Sequence, residues 1–198
     1  MKKLDINKII NDRKTVLENR KTVLDGLKSS LVISDPIEFT VSEIAQNVNS
    51  RKKGEKVGAT QLNFLENIKG SVVYVYELAD QNIKQELLDR ISAFRSKDNK
   101  DENGNDLRRS TAKIPSSAKA NDSNVLYVGS VQEYIHSRTR QHLGFGHPHT
   151  FSLQIKHWAL PNWKFRFYYI QVSNKEVTTD IEAALSNELN PLIGKREK

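Results

Sequence analysis

The chain has no cysteine among its 198 residues, which excludes disulfides and thiolate-held zinc and fits a reducing compartment. Long apolar runs are missing too. None approaches the ~18 residues of a membrane span, and the opening Met1-Lys2-Lys3-Leu4-Asp5 has no apolar leader core. Together these absences predict a soluble, cytoplasmic protein. Acidic residues are the minority charge: 24 Asp and Glu stand against 31 Lys and Arg, a net charge of +7. Such an excess favours polyanionic partners, nucleic acid before acidic membrane. Hydrophobic residues, at 37%, still suffice for a globular core.

Residues 4 to 31 read as one amphipathic helix. Ile9/Ile10, Val16/Leu17 and Val23/Leu24 recur every seven positions, and Arg13–Asn19 is nearly repeated as Arg20–Gly26. Two heptads with arginine in the second seam make a weak coiled coil, so packing on its own domain competes with a homodimer contact or an arm on DNA. Pro36 breaks the pattern. Thr40-Val41-Ser42-Glu43 then has capping-box spacing and predicts a short helix to about Val48. Arg51, Lys52, Lys53 and Lys56 follow as a phosphate-facing patch or a solvated loop. Residues 1 to 68 thus read as a helical extension for DNA contact or dimerisation, and 69 to 198 as the main domain.

In the main domain, Val72–Tyr76 predicts a strand with Tyr74 and Tyr76 on one face. Ile83, Leu87, Leu88, Ile91 and Phe94 have helical spacing. Residues 96 to 122 carry almost no large apolar side chain and predict a mobile loop, in which Arg108, Arg109 and Lys113 face a nucleic acid strand. A strand at 125–128, a helix at about 131–143, a strand at 165–172 and a helix at 180–189 complete the reading, with 150–158 ambiguous. Trp158, Trp163, Phe165, Phe167, Tyr168 and Tyr169 read as core first and as a base-stacking platform second.

Phosphodiester hydrolysis needs a group to activate water, a cation for the charge that builds on phosphorus, and usually a carboxylate-held divalent metal. The second half of the chain has candidates for all three. Tyr127 sits in an apolar strand before Gly129. Arg138 and His142, four apart, are neighbours on a helix surface, while Arg140 points elsewhere. Glu182 falls in the first turn of the last helix, where Thr179 to Glu182 also has capping-box spacing. His147, His149 and His157 suggest zinc, but no HExxH pattern or suitably spaced carboxylate accompanies them.

Leu126-Tyr127-Val128-Gly129-Ser130, Arg138 to Leu143, Asp180 to Leu185 and Leu189 to Lys195 resemble the GIY-YIG endonuclease family. Tyr127-Val128-Gly129 matches the second half of the name motif. Val72-Val73-Tyr74 matches the first half with valine in place of glycine, and Tyr76 competes with Tyr74 for its tyrosine. The resemblance implies an α/β (α+β) domain, a small antiparallel three-stranded sheet flanked by helices. It also implies hydrolysis of DNA with one Mg²⁺ (or Mn²⁺); a compact chain with no second recognisable enzymatic module favours restriction-like cutting of duplex DNA over repair or mobile-element roles. By position it makes Tyr74 the water-activating base and has Tyr127 line the site. Arg138 would bind the scissile phosphate, His142 would assist at the attacking or leaving oxygen, and Glu182 would hold the metal. Arg140 and Asn190 join as DNA-contacting candidates. The rival expectation is a DNA-binding protein of the same fold without catalysis.

Overall fold

The computed structural model describes residues 6–27, 31–44, 58–96, 103, 110–147 and 149–194. Its helices and strands run in the order α1 (Ile6–Leu27), β1 (Ile37–Thr40), β2 (Ser71–Leu78), α2 (Lys84–Arg95), β3 (Val125–Val131), α3 (Ile135–Arg140), β4 (Lys164–Val172) and α4 (Thr178–Leu189), with short 3₁₀ turns between them. No helix among the described residues is long and apolar enough to cross a membrane.

The sheet is open and entirely antiparallel, in the order β1-β4-β2-β3. The expectation of a three-stranded sheet is therefore corrected to four strands. The added strand is Ile37-Glu38-Phe39-Thr40, in the stretch read as helical extension; it pairs with β4 from Ile37↔Phe167 to Thr40↔Lys164. Four residues are too few to announce a strand by alternation, yet the pattern holds. Phe39 is buried and stacks on Phe165, while Glu38 faces outward to Lys164 (3.1 Å) and Arg166 (3.6 Å). Thr40 ends the strand, and Glu43 caps the following 3₁₀ turn by accepting from the Thr40 backbone N–H at 2.6 Å. The helix predicted to about Val48 is only this turn over Val41–Glu43; residues 45 to 48 lie outside the described residues.

Both faces of the sheet are covered, which is why β2 is apolar almost throughout. On one face Val72, Tyr74, Tyr76, Leu78, Phe165 and Phe167 form the main core with Leu87, Leu88 and Ile91 of α2 and Ile135 of α3. On the other, Val73, Val75, Val128, Ile170 and Val172 pack with Val177 and Ile181, with Val23 and Leu24 at the end of α1, and with Leu31 beyond it. The seven-residue stripe of α1 is thus used at its C-terminal end, whereas Ile10, Val16 and Leu17 are exposed. Arg20 of α1 reaches Asp180 of α4 at 3.4 Å.

Only part of the predicted loop 96–122 falls within the described residues. There Thr111 bridges to Ser152, and Ala118 is fully buried. Trp158, Trp163, Phe165 and Phe167 are all buried, so these four rings belong to the core and offer no stacking platform.

Candidate active site

The site starts from a cross-strand pair. Tyr74 on β2 lies opposite Gly129 on β3, and Tyr76 lies opposite Tyr127. A bulge beside Tyr76 leaves Leu126 without a partner across the ladder, so that Leu126 and Tyr127 both turn toward the main core while Val125 and Val128 face the other. Gly129 is required by contact: a Cβ there would lie 2.7 Å from the Tyr74 hydroxyl and 2.6 Å from the Tyr127 ring. The bare backbone lets both tyrosines close over it, their ring centroids 6.3 Å apart.

α3 brings the basic groups. Tyr134, in left-handed conformation, turns the chain from β3 into the helix, which passes directly into a π-helical turn over Gln141–Phe145. Arg138 and His142 project from this run onto one atom. Arg138 Nε donates to Tyr74 Oη at 3.3 Å, and His142 Nε2 lies 2.9 Å from the same oxygen. The Leu153 backbone N–H donates to His142 Nδ1 at 3.1 Å, so the ring's proton sits on Nε2 and is donated to Tyr74. Burial, seconded by the Arg138 charge, holds His142 well below its ordinary pKa, and the ring is neutral. Burial pushes Tyr74 well above the ordinary phenol value; nearby Tyr127 adds to the rise, while Arg138 opposes it. Tyr76 instead buries its hydroxyl near Thr139, with no hydrogen-bond partner among the described residues. Of the two candidate tyrosines, Tyr74 therefore hydrogen-bonds Arg138 and His142, while Tyr76 packs its ring against His142 at 5.3 Å.

The Arg138 guanidinium is fixed on its other edges. Nη1 donates to Gln141 Oε1 at 2.7 Å and Nη2 to the Phe151 carbonyl at 3.0 Å. Tyr127 stands between Arg138 and Glu182: burial raises its hydroxyl's pKa, Arg138 pulls it down and Glu182 pushes it up.

Glu182 arrives from α4, on the far side of β3. The capping box from Thr179 to Glu182 is not formed, because the helix starts two residues earlier than that box requires, at Thr178 with Val177 in the cap position. The Glu182 carboxylate instead accepts from Ser130 Oγ at 2.5 Å. Tyr127, Arg138 and Glu182 line one cleft of about 750 Å³ beside β3, an outermost strand, together with Arg95, Lys113 and Phe151. Tyr74 and His142 lie directly behind its wall, at 1% and 0% exposure.

Among the described residues no group of three His, Cys, Asp or Glu side chains is gathered to hold a metal ion. His147, His149 and His157 thus form no zinc cage: His157 Nε2 bonds the Gly144 carbonyl at 3.0 Å and its ring stacks on Phe94. A lone carboxylate beside a hydroxyl, at the wall of a roomy cleft, does suit a hard Mg²⁺ or Mn²⁺ ion that keeps several of its waters. Glu182 is the residue that fits this role.

The remaining candidates separate. Lys113 is exposed at the cleft rim. The Arg140 guanidinium lies over the Phe145 ring at 5.6 Å, away from Tyr74. Asn190 caps α4 in left-handed conformation and bonds Asn121 Oδ1 at 2.9 Å, outside the cleft lining. Arg108 and Arg109, like Arg51, Lys52, Lys53 and Lys56, lie outside the described residues. Sequence reasoning missed Gln141, Ser130, Arg95 and Phe151. Gln141 and Ser130 have a faint signal, each being a polar residue beside a motif position; Arg95 and Phe151 have none.

No family model matches the chain, and comparisons with curated proteins and with solved structures find no match either.

Proposed function

We propose that the chain is a divalent-metal-dependent DNA endonuclease of the GIY-YIG kind, hydrolysing phosphodiester bonds in the cleft between α3 and α4. The observation that carries this reading is the convergence of Tyr74, Tyr127, Arg138, His142 and Glu182, drawn from β2, β3, α3, the π-helical turn after it and α4, at one end of the sheet order.

Arg138 is the phosphate ligand. Its planar fork matches phosphate oxygens, and its bonds to Tyr74, Gln141 and the Phe151 carbonyl hold it in place before substrate arrives. A Mg²⁺ ion held by Glu182 would supply Lewis-acid stabilisation and a more acidic water. Tyr74 is the proton acceptor. As a neutral phenol its two lone pairs are already taken by Arg138 and His142; as a phenolate it gains one more acceptor position, which a proton from cleft water reaches only past the wall that Tyr127 and Arg138 form. The same two N–H donors stabilise that phenolate, against the burial that disfavours it. Tyr127, on the cleft wall between Glu182 and Arg138, orients the water or the phosphate.

The test is supercoiled plasmid incubated with the protein and Mg²⁺, with Glu182→Gln and Arg138→Ala alongside. Nicking or linearisation that needs both the metal and the two side chains supports the enzyme. Salt-sensitive binding without nicking, unchanged in both variants, would overturn it in favour of a DNA-binding protein without catalysis.

A further inference from the structure

Phe151 is the most exposed aromatic ring among the described residues, 70% open to solvent. Leaving a phenyl ring in water forfeits its burial energy, and nothing in the core needs it there. Yet its backbone is tightly held. The Phe151 carbonyl accepts from Arg138 Nη2 at 3.0 Å, Ser152 Oγ donates to the Gln141 carbonyl at 2.9 Å, and the next N–H, of Leu153, donates to His142 Nδ1 at 3.1 Å. Ser152 also accepts from the Ala112 N–H at 3.3 Å across the Thr111–Ser152 bridge. An exposed ring is thus anchored to the very turn that carries Arg138 and His142.

Phe151 lines the cleft together with Arg95, Lys113 and Arg138, with Glu182 as the opposing charge. Three cations against one carboxylate select a polyanion. In a nucleic acid strand each base hangs one sugar away from its phosphate. A guanidinium that grips the phosphate and a ring that takes the adjoining base must therefore be neighbours, and here one hydrogen bond joins their residues.

We propose that Phe151 stacks on a nucleobase next to the phosphate held at Arg138, so that the cleft takes a strand with one base out of its helical stack. Inside an intact duplex both faces of every base are covered. A wall-mounted ring can use its face only if a base is unstacked, flipped or at a distorted step. Phe151 is a substrate-positioning residue and does not touch the reacting atoms. The inference rests on the endonuclease reading, because it needs DNA in this cleft.

The experiment is an affinity cycle by fluorescence anisotropy in the Glu182→Gln background, which keeps the DNA uncut. The probes are a short duplex containing the cleavage position mapped with the wild-type protein, and the same duplex with a single abasic nucleotide on either side of it. Phe151→Ala should weaken binding to the intact duplex by about 5- to 100-fold, the span of a base–aromatic stack. It should have almost no effect on the abasic duplex that lacks the stacked base, and Phe151→Trp should restore binding. Equal losses on intact and abasic DNA would mean a structural role for the ring and overturn the proposal. So would an unchanged affinity, or a change in oligomeric state in place of DNA affinity. A wild-type protein that neither binds nor cuts DNA would overturn the endonuclease reading first and this inference with it.

Discussion

Arg138 Nε donates to Tyr74 Oη at 3.3 Å, while the hydroxyl of Tyr76, two residues along the same face, is buried near Thr139. The two tyrosines are indistinguishable by strand alternation, and the register of α3 separates them. Tyr74→Phe removes the oxygen on which Arg138 and His142 converge and should lower the cleavage rate by about 10²- to 10⁴-fold. Tyr76→Phe keeps that oxygen and should retain most of the rate. Single-turnover cleavage of one duplex by both variants checks this, and equal losses would mean that Tyr74 has no special role.

Arg138 and Arg140 provide a second contrast. Arg138→Lys keeps the charge but loses the fork that holds Tyr74, Gln141 and the Phe151 carbonyl together; it should cost about 10²-fold in rate. Arg140 packs over Phe145, and Arg140→Ala should leave kcat within a few-fold of wild type. Steady-state kinetics on the two variants decides whether the face of α3 has been assigned correctly.

Gly129→Ala introduces one methyl where 2.6 and 2.7 Å separate an added Cβ from Tyr127 and Tyr74. One of the two rings must move, and overpacking of this kind costs about 1 to 3 kcal/mol. The expected outcome is a folded protein with a lowered melting temperature and strongly reduced cleavage. Retention of full activity would mean that the tyrosines need not sit as they do.

The sequence carried the apolar strands β2, β3 and β4 and the last helix, because long β-rich runs and helical spacing leave a statistical trace. It did not carry β1, which is four residues long and directly follows Pro36. Thr179 and Glu182 have capping-box spacing, but Val177 takes the cap position and Glu182 turns to Ser130; two residues of offset at a helix start are not readable from types alone. The π-helical turn that aims His142 at Tyr74 is likewise silent in the sequence. Phe151 is the clearest miss: a lone phenylalanine amid polar residues normally signals burial, and only its exposure beside Arg138 gives it meaning.

Tyr74 also makes a prediction about pH. Its phenolate is the form that can take a proton, and burial sets its ionisation well above pH 10. The cleavage rate at saturating Mg²⁺ should therefore rise about tenfold per pH unit from neutral to mildly alkaline pH, with no plateau below pH ~9. A pH-independent rate across that range would remove Tyr74 as the acceptor.

His142 makes the opposite use of burial. Its folded pKa lies well below the ordinary 6.5, so below that pH the unfolded chain binds a proton that the folded chain does not. The sign follows directly: the stability from a neutral His142 is fully present above pH 6.5 and is lost as pH falls below it. The loss approaches about 1.4 kcal/mol per pH unit and stops at the folded pKa. Guanidinium unfolding midpoints measured from pH 8 down to 5 should show this decline in the wild type. His142→Asn, which has no titrating ring, should be less stable at pH 8 but flatter below 6.5. Because the ring stays neutral in the folded protein, the pH–rate profile should carry no break near 6.5. A break there, abolished by His142→Asn, would mean that the imidazole gains a proton during turnover and serves as an acid rather than as a fixed donor to Tyr74.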